Sequence, residues 1–498
     1  MILTVKGNIN KYYVQTLCML FFPGAKFSES EEAGPETPIV DLLLEEREDG
    51  VFTSVSIKRG DKVCSAENFT EYKDGFTKGR IAKISSGKAI FDAGEKFFGI
   101  TPSWGILTGV RPAKVASEYL LAGLGVQKTK RLLRSEYFLN PKKATLVTDV
   151  ASNEIKIIKK LPRKRCSVYI SIPFCPSRCA YCSFVSYTSE KLLSLIPDYL
   201  IALKQEIVEM FATIKRACLE VATVYIGGGT PTILSEKELD FLLTAIEENV
   251  DVTSLMEYTL EGGRPDTITA EKLAVAKLHG ITRFSVNPQT LNDDVLKNIG
   301  RHHTVDDFYR AYDIAVNSGI SHINTDLIAG LPGEDFISFS RTVDKIIELR
   351  PDNITFHTFC VKKASDILRS ETDVFSLTGG DAGMSVDYSQ VKAKNAKYKP
   401  YYMYRNKNTV GNFENVGFAL EGAEGLYNIF MMEEIHPVFG AGAGAVTKLT
   451  RNDGLVVTNS KIVRIFNPKY PYEYLSADRE IALAEKNLEI EKFFSAEE

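Results

Sequence analysis

The sequence lacks the features that place a protein in a membrane or outside the cell. No apolar run reaches the length that a bilayer requires, and residues 1–9, which contain Lys6, are too short for a secretion signal and have the wrong flanks. Only eight cysteines are spread over 498 residues, too few for a disulfide scaffold. We therefore expect a cytoplasmic protein whose thiols stay reduced.

The sequence also lacks a large excess of charge of either sign. A net charge of -4 disfavours a globally basic nucleic-acid-binding protein, although it leaves room for a local basic patch. The content of 44% hydrophobic and 25% charged residues is that of a soluble globular protein. At this length the chain exceeds one ordinary hydrophobic core, so we expect two or three domains.

Three of the cysteines form the most informative pattern. Cys175, Cys179 and Cys182 are spaced as C-x3-C-x2-C, directly after a strand-like run at 168–173. Thiolates suit iron-sulfur clusters, and three of them leave one iron with an open coordination position, which invites chemistry. The alternatives are inert buried thiols, a redox pair or a zinc site. A zinc site needs a fourth ligand, and no Cys or His follows at a familiar spacing.

Strand-like and helix-like segments alternate between residues 166 and 360. The predicted strands are 168–172, 223–226, 257–261, 283–287, 323–328 and 353–359, and the predicted helices are 196–214, 236–249, 270–279, 305–318 and 336–349. Periodicity alone fits both an incomplete (β/α)6 barrel and a flat, doubly wound sheet. The motifs favour the α/β barrel, because the cysteine loop and the glycine run at 227–229 each follow a strand, where barrel chemistry gathers.

The flanking regions predict further domains. We expect a small α+β N-terminal domain at 1–95 and a helical connector at 96–165, followed by the barrel at 166–365 and a C-terminal domain at 366–498 that covers the site. Helical periodicity appears at 12–21, 113–123, 142–159 and 477–495, and 51–57 alternates like a strand.

Two further segments have compositions that suit ligand binding. Gly227, Gly228 and Gly229 have no side chains, so their peptide groups can approach a charged ligand closely, although a tight turn between strand and helix explains them too. The segment 392–408 is basic and rich in tyrosine. Such a segment suits a macrocycle with carboxylates, single-stranded nucleic acid or simply a solvated loop, and these three readings stay open.

Several motifs in order resemble one known family. They are Y-I-S-I-P-F-C at 169–175, G-G-G-T-P-T at 227–232, F-S-V-N-P-Q at 284–289, G-R-H-H at 300–303 and N-T-D-L-I-A-G-L-P-G at 324–333. Together with the cysteine spacing they resemble the oxygen-independent coproporphyrinogen III dehydrogenase (oxidase) family of the radical S-adenosylmethionine (SAM) superfamily. The separate N-terminal region and the loop ending at Phe184 are most similar to its HemZ-type branch.

The resemblance implies the cofactors and their ligands. Cys175, Cys179 and Cys182 are expected to bind a [4Fe-4S] cluster, and two SAM molecules are expected nearby. The residues expected around the first SAM are Tyr169, Tyr181, Gly228, Gly229, Thr230 and Glu261, and those expected to hold the second are Gln289, Arg301 and Asp326. Without the resemblance, the last three would be loop caps or an ion-pair partner.

The resemblance also implies an activity and partners. A radical SAM oxidoreductase of this family converts coproporphyrinogen III to protoporphyrinogen IX in haem biosynthesis, using a 5'-deoxyadenosyl radical and an external one-electron reductant such as flavodoxin or ferredoxin. No membrane or nucleic-acid partner is expected. Phe184 is shared with haem-chaperone relatives, whereas some members have a cysteine at that position. A haem-binding or haem-trafficking role, or another radical SAM enzyme acting on haem or nucleic acid, is therefore the alternative.

Overall fold

The computed structural model describes residues 1–28, 34, 36–182, 186–360, 380–406, 409–458 and 461–495. Internal contacts divide the chain into two compact units. The first contains Met1–Ser152, 380–383 and Met403–Glu414, and the second contains the described parts of 153–372, Met384–Tyr402 and 415–498. The predicted N-terminal domain and most of the connector thus lie in one unit, and the four-part division stays a prediction.

The first unit is built on a four-stranded sheet. Its strands are β1 (Ile2–Lys6), β2 (Ile39–Glu46), β3 (Gly50–Arg59) and β4 (Lys62–Glu71), in that order, with β1 parallel to β2 and the others antiparallel. Alternating burial in β2 and β3 provides one apolar face. The helices are α1 (Lys11–Cys18), α2 (Lys78–Phe98), α3 (Ala113–Leu121), α4 (Val126–Tyr137) and α5 (Pro141–Ile158), of which α2 packs on β3 and β4. The last turns of α5, after Ser152, belong to the second unit.

The second unit contains the six predicted β-α repeats. The strands β5 (Arg165–Ile172), β6 (Glu220–Gly228), β7 (Glu257–Glu261), β8 (Arg283–Ser285), β9 (His322–Ala329) and β10 (Asn353–Thr358) are adjacent and all parallel. The helices are α6 (Glu190–Leu193), α7 (Ile196–Arg216), α8 (Glu236–Glu247), α9 (Ala270–Leu278), α10 (Asp293–Asn298), α11 (Val305–Asn317) and α12 (Phe336–Leu349). Side-chain caps at Ser235, Thr304 and Asp335 fix where three of them begin.

C-terminal segments extend the same sheet at both edges. On one side β13 (Val438–Ala441) lies parallel to β5 and is followed by β14 (Val446–Leu449) and β15 (Val463–Phe466); on the other, β12 (Asn415–Ala419) lies antiparallel to β10, next to β11 (Lys399–Tyr404). The remaining helices are α13 (Gly380–Asn395), α14 (Leu426–Glu433), α15 (Pro471–Tyr474) and α16 (Arg479–Ser495). No pairing between described residues joins β11 to β15, so the predicted α/β fold with an incomplete barrel is confirmed.

Helix α14 closes the end of the barrel at which the strands begin. Glu257, the first residue of β7, accepts hydrogen bonds from the backbone amides of Leu426 (2.8 Å) and Tyr427 (3.1 Å) at the start of α14. The carboxylate of Glu257 also pairs with the buried guanidinium of Arg283 at 3.0 Å. The cysteine and glycine loops follow β5 and β6, so they lie at the opposite end of the barrel, where the strands finish. None of the described helices combines the length and apolar character needed to cross a membrane.

Candidate functional site

The cysteine loop follows β5 and is fixed by backbone hydrogen bonds. The amide of Cys175 donates to the carbonyl of Tyr187 at 3.1 Å, and the amide of Ala180 donates to that of Ile299 at 2.9 Å. Cys175 and Cys179 are each 7% exposed, whereas Cys182 is half-buried. Burial raises the pKa of the Cys175 thiol to about 11, so a metal that binds this sulfur must displace its proton.

The donor chemistry of this loop suits an iron-sulfur cluster. Within the described ranges, no three Cys, His, Asp or Glu side chains converge tightly enough to surround one metal ion. The thiolates of a cubane cluster bind different irons and need not surround one metal ion, so the separation of the three cysteines is compatible with a cluster. The soft character of three sulfur donors on one short loop is the feature that fits the cluster.

The glycine loop after β6 is joined to the cysteine loop. The amide of Gly229 donates to Ile172 O at 2.8 Å, and the hydroxyl of Thr230 lies 3.2 Å from the sulfur of Cys175. A Cβ atom on Gly229 would lie 2.5 Å from the carbonyl oxygen of Phe174 and 3.0 Å from the Cys175 sulfur. Glycine is therefore required here by contact with the cysteine loop, in addition to any role towards a ligand.

Glu261 ends β7 beside this glycine loop. A Cβ atom on Gly227 would lie 2.5 Å from Glu261 Oε2, which shows how closely the carboxyl group approaches the loop. Burial, and secondly the neighbouring charge of Asp326, raise the pKa of Glu261 to about 8, although hydrogen bonds from Gly228 N–H and the Tyr225 hydroxyl act in the opposite direction. A carboxyl group with this pKa is mostly protonated at pH 7.

An aromatic stack lies in the barrel interior next to Glu261. The rings of Tyr169 and Tyr225 are 6.1 Å apart, and those of Tyr225 and Tyr427 are 4.7 Å apart, with the planes of each pair within 30°. Tyr169, predicted at the SAM site, thus lies on the inner face of β5. Tyr225 and Tyr427 were not predicted, although Tyr225 has a sequence signal: in a strand, it shares a face with Gly227 two residues later.

The residues predicted around a second SAM gather round Asn287. The guanidinium of Arg301 donates to Asn287 O at 2.6 Å and to the hydroxyl of Tyr181 at 3.3 Å. The amide of Asp326 donates to Asn287 Oδ1 at 3.2 Å, and the amide of Gln289 donates to Asp326 O at 3.1 Å. The structure therefore brings Tyr181, Gln289, Arg301 and Asp326 together, and it adds Asn287, which the sequence analysis did not single out.

Two polar side chains of this group have atoms suited to a ligand. Gln289 has φ 70°, a strained conformation for a residue other than glycine, and its buried Oε1 accepts no hydrogen bond from the described residues. Nε of the buried Arg301 likewise has no acceptor among them. His357 of β10 lies 3.7 Å from the carboxylate of Asp326 and was also not predicted.

Arg264, which no sequence motif indicated, contacts the cysteine loop directly. Its guanidinium, on the turn after β7, donates to the sulfur of Cys179 at 3.0 Å. Arg264 and Arg301 are both buried, and neither forms an ion pair with a carboxylate of the described chain. Buried cations are costly without a counter-charge, so an anionic cluster and a ligand with a carboxylate fit this environment.

The tyrosine-rich segment 392–408 does not form a solvated loop in its described part. Residues Lys399–Tyr404 form the buried strand β11, and the hydroxyl of Tyr398 donates to Pro351 O at 2.6 Å. Arg405 is buried and donates to the backbone carbonyls of Leu107 and Asn412. Arg405 is thus already used in packing, so of the three interpretations left open for 392–408, the solvated loop does not fit the described residues. Residues 407–408, and Phe184 of the cysteine loop, lie outside the described residues.

Comparisons with known proteins agree with this geometry. The sequence model of the radical SAM superfamily matches residues 169–346. The oxygen-independent coproporphyrinogen-III oxidase-like protein HemZ of Bacillus subtilis is 33% identical over 465 residues, which cover 93% of this chain and 92% of that protein. The haem chaperone HemW of the same organism is 29% identical over 332 residues, 66% of this chain and 82% of the relative.

A solved structure supports the fold. Coproporphyrinogen III oxidase (HemN) from Escherichia coli, a radical SAM enzyme, superposes with a TM-score of 0.50 at 20% identity, covering 66% of this chain and 72% of that one. The chain therefore belongs to the family of oxygen-independent coproporphyrinogen-III oxidase-like proteins within the radical SAM superfamily, whose members use a [4Fe-4S] cluster and SAM.

Proposed function

We propose that this protein is a radical SAM oxidoreductase that converts coproporphyrinogen III to protoporphyrinogen IX in haem biosynthesis. The observation that carries the proposal is the contact between the cysteine and glycine loops where the strands finish, with the Thr230 hydroxyl 3.2 Å from the sulfur of Cys175. Similarity to HemZ over nearly the whole chain supports the choice of substrate class.

In this proposal Cys175, Cys179 and Cys182 hold the [4Fe-4S] cluster, which leaves one iron for SAM. The cluster and SAM together supply a 5'-deoxyadenosyl radical when an external donor such as flavodoxin or ferredoxin provides one electron. The backbone of Gly228 and Gly229 approaches SAM without side-chain obstruction. The hydroxyl of Thr230 and the rings of Tyr169 and Tyr181 complete the wall of the site.

Glu261 orients the first SAM through its hydroxyl or amino groups. Its pKa of about 8 makes the carboxyl group neutral at pH 7 in the free protein, and an approaching cation favours its ionised form. Arg301, Gln289 and Asp326 hold the second SAM, with the guanidinium of Arg301 facing a carboxylate and Gln289 Oε1 facing a donor. The barrel itself excludes water and oxygen from this space.

The substrate change is the same at each of two propionates. A propionate that gives up one hydrogen atom and one electron releases carbon dioxide and becomes a vinyl group, so the atoms and the charge balance. Each round consumes one SAM and needs an external one-electron acceptor for the departing electron. Two propionates thus require two SAM molecules.

The second candidate is a haem-binding or haem-trafficking role. Similarity to HemW favours it, because the chain matches 82% of the length of the B. subtilis haem chaperone. The cluster site is expected in both candidates, so the cysteine loop does not distinguish a decarboxylating enzyme from a haem-binding protein. What separates them is whether a porphyrinogen loses its carboxyl groups. Another radical SAM reaction, on haem or on nucleic acid, is a further alternative. Salt-sensitive RNA binding would identify an enzyme that acts on nucleic acid.

The test is a single-tube assay under anaerobic conditions. Protein with a reconstituted cluster is mixed with dithionite, SAM and coproporphyrinogen III, and mass spectrometry follows stepwise loss of two carboxyl groups and formation of 5'-deoxyadenosine. Cleavage of SAM without decarboxylation would keep the radical chemistry and reject the substrate. Tight haem binding with neither product would favour the chaperone role.

A pair of cysteine variants controls for the cluster. Cys179→Ala should lose both iron and the two products, because a ligand is removed. Cys218→Ala removes an exposed cysteine outside the motif and should keep both. Iron and activity retained in Cys179→Ala would overturn the assignment of the ligands.

A further inference from the structure

Arg264 binds the cysteine loop through both arms of its guanidinium group. Nη1 donates to Ser177 Oγ at 2.8 Å, while Nη2 donates to Ser177 O at 2.7 Å and to the sulfur of Cys179 at 3.0 Å. Arg264 itself is 3% exposed. The bond to the Cys179 sulfur is therefore shielded from bulk water, in surroundings where charge-assisted hydrogen bonds are strongest, and the two bonds to Ser177 are partly buried.

Arg264 forms no ion pair with a carboxylate of the described residues, since its guanidinium hydrogen bonds go to Ser177 and Cys179. Arg301, which is also buried and acts electrostatically on Cys179, adds a second positive charge, which the carboxylate of Asp266 partly offsets. By contrast, the buried Arg283 at the other end of the barrel is paired with Glu257. Two buried cations beside one cysteine thus create a site that favours negative charge.

We propose that Arg264 is a positioning residue that holds the Cys179 sulfur and raises the reduction potential of the cluster. This inference rests on the proposed ligand role of Cys175, Cys179 and Cys182. One-electron reduction by the external donor adds one negative charge to the cluster, and a fixed cation at hydrogen-bond distance from a ligand sulfur stabilises the reduced form more than the oxidised form. Hydrogen bonds to ligand sulfurs and nearby charge are established controls of cluster potentials.

Arginine suits this position better than lysine. In the planar guanidinium group, Nη1 donates a hydrogen bond to Ser177 Oγ, while Nη2 donates to both Ser177 O and the Cys179 sulfur. One side chain therefore both fixes the loop and places a positive charge beside the sulfur. An ammonium group of lysine carries the charge but cannot reproduce this division of donors. The two substitutions therefore separate the effect of charge from that of geometry.

The test compares reduction potentials of reconstituted Arg264→Gln, Arg264→Lys and the unaltered protein by redox titration followed by electron paramagnetic resonance, with iron and sulfide content measured in parallel. We expect Arg264→Gln to lower the equilibrium constant for reduction at least tenfold, a shift of about 59 mV to more negative potential for a one-electron couple. Arg264→Lys should recover most of that shift. Arg178→Gln, which removes the same charge from an exposed position of the same loop, should shift the equilibrium constant by less than half as much on a logarithmic scale.

The outcomes separate this inference from the proposed site. An unchanged potential in Arg264→Gln with full iron content would overturn the role of Arg264 while leaving the cluster ligands in place. If Arg264→Gln does not retain iron, Arg264→Lys decides: a potential near that of the unaltered protein supports the role of the charge, and a tenfold shift at full iron content refutes it. A cluster retained in Cys179→Ala would instead reject the ligand assignment.

Discussion

Substitution of Glu261 by glutamine is expected to stabilise the protein, and more so at high pH. The pKa of Glu261 is about 8 in the folded chain against a usual value of 4.5, because burial and then Asp326 disfavour the charged form. Between these two values the folded state binds a proton that the unfolded state has released, so stability falls as pH rises from 4.5 to 8 and is constant above 8.

The magnitude follows from the width of that interval. Each pH unit within it lowers the free energy of unfolding by about 1.4 kcal/mol, so the group costs about 2 kcal/mol at pH 6 and at most about 5 kcal/mol at pH 9. The amide of glutamine is neutral at both pH values, and its oxygen can accept the hydrogen bonds that Gly228 and Tyr225 donate. The increase in the free energy of unfolding caused by Glu261→Gln should therefore be about 3 kcal/mol larger at pH 9 than at pH 6.

Urea unfolding followed by far-UV circular dichroism, under anaerobic reducing conditions and without cluster or SAM, measures this difference. Glu271→Gln provides the control, since that side chain is exposed on α9 and its substitution should change stability by less than about 0.5 kcal/mol at either pH. The single tryptophan, Trp104, lies in the first unit, so its fluorescence reports separately on that part of the chain. A stability difference between Glu261→Gln and the unaltered protein that is the same at pH 6 and pH 9 would refute the reasoning.

Three further substitutions or conditions test other parts of the second unit and the site. Gly229→Ala should reduce cluster loading measured as iron content, because its Cβ would lie 2.5 Å from a carbonyl oxygen, whereas Gly125→Ala, with open space around the new Cβ, should load normally. Glu257→Ala should lower stability by about 3–5 kcal/mol in urea unfolding, since it leaves a buried arginine unpaired; a loss under 1 kcal/mol would contradict this. Burial raises the pKa of Glu206, but Lys486 and hydrogen bonds outweigh it and the net pKa is lowered. The ionised Glu206 should therefore contribute to folding stability above pH 4.5, and this contribution should be lost as pH falls below that value. Glu206→Gln should reduce the drop in melting temperature on the acid side of its pH profile.

The sequence predicted the repeats of the barrel well because local signals mark them. Helix α12 has the predicted bounds 336–349, since the carboxylate of Asp335 caps its start and Arg350 adopts a left-handed conformation, φ 52°, at its end. Strands β5 to β10 were found from short apolar runs of the length that parallel strands need. In each case the information lies within a few residues of the element itself.

Helix α2 and the C-terminal strands were missed for two different physical reasons. In α2, Gly87 and Gly94 interrupt the helical pattern, but a Cβ atom there would lie 2.9 Å from Ile106 and 2.4 Å from Phe21, so close packing explains both. Strands β12 to β15 have only four or five residues, too few for a periodic signal, and their pairing partners lie far away in sequence. The expected division at 366–498 stays a prediction, and internal contacts group 415–498 with the unit that contains the barrel.

The two ends of the barrel differ in whether their buried charged groups have charged partners within the protein. Where the strands begin, Glu257 satisfies Arg283 and the first amides of α14, so the charges are balanced within the protein. Where the strands end, Arg264 and Arg301 have no carboxylate partner among the described residues, and Glu261 is held in its neutral form. Burial of such groups costs folding free energy, which a ligand of complementary charge returns on binding. We therefore expect the cofactors to stabilise the end where the strands finish more than the end where they begin.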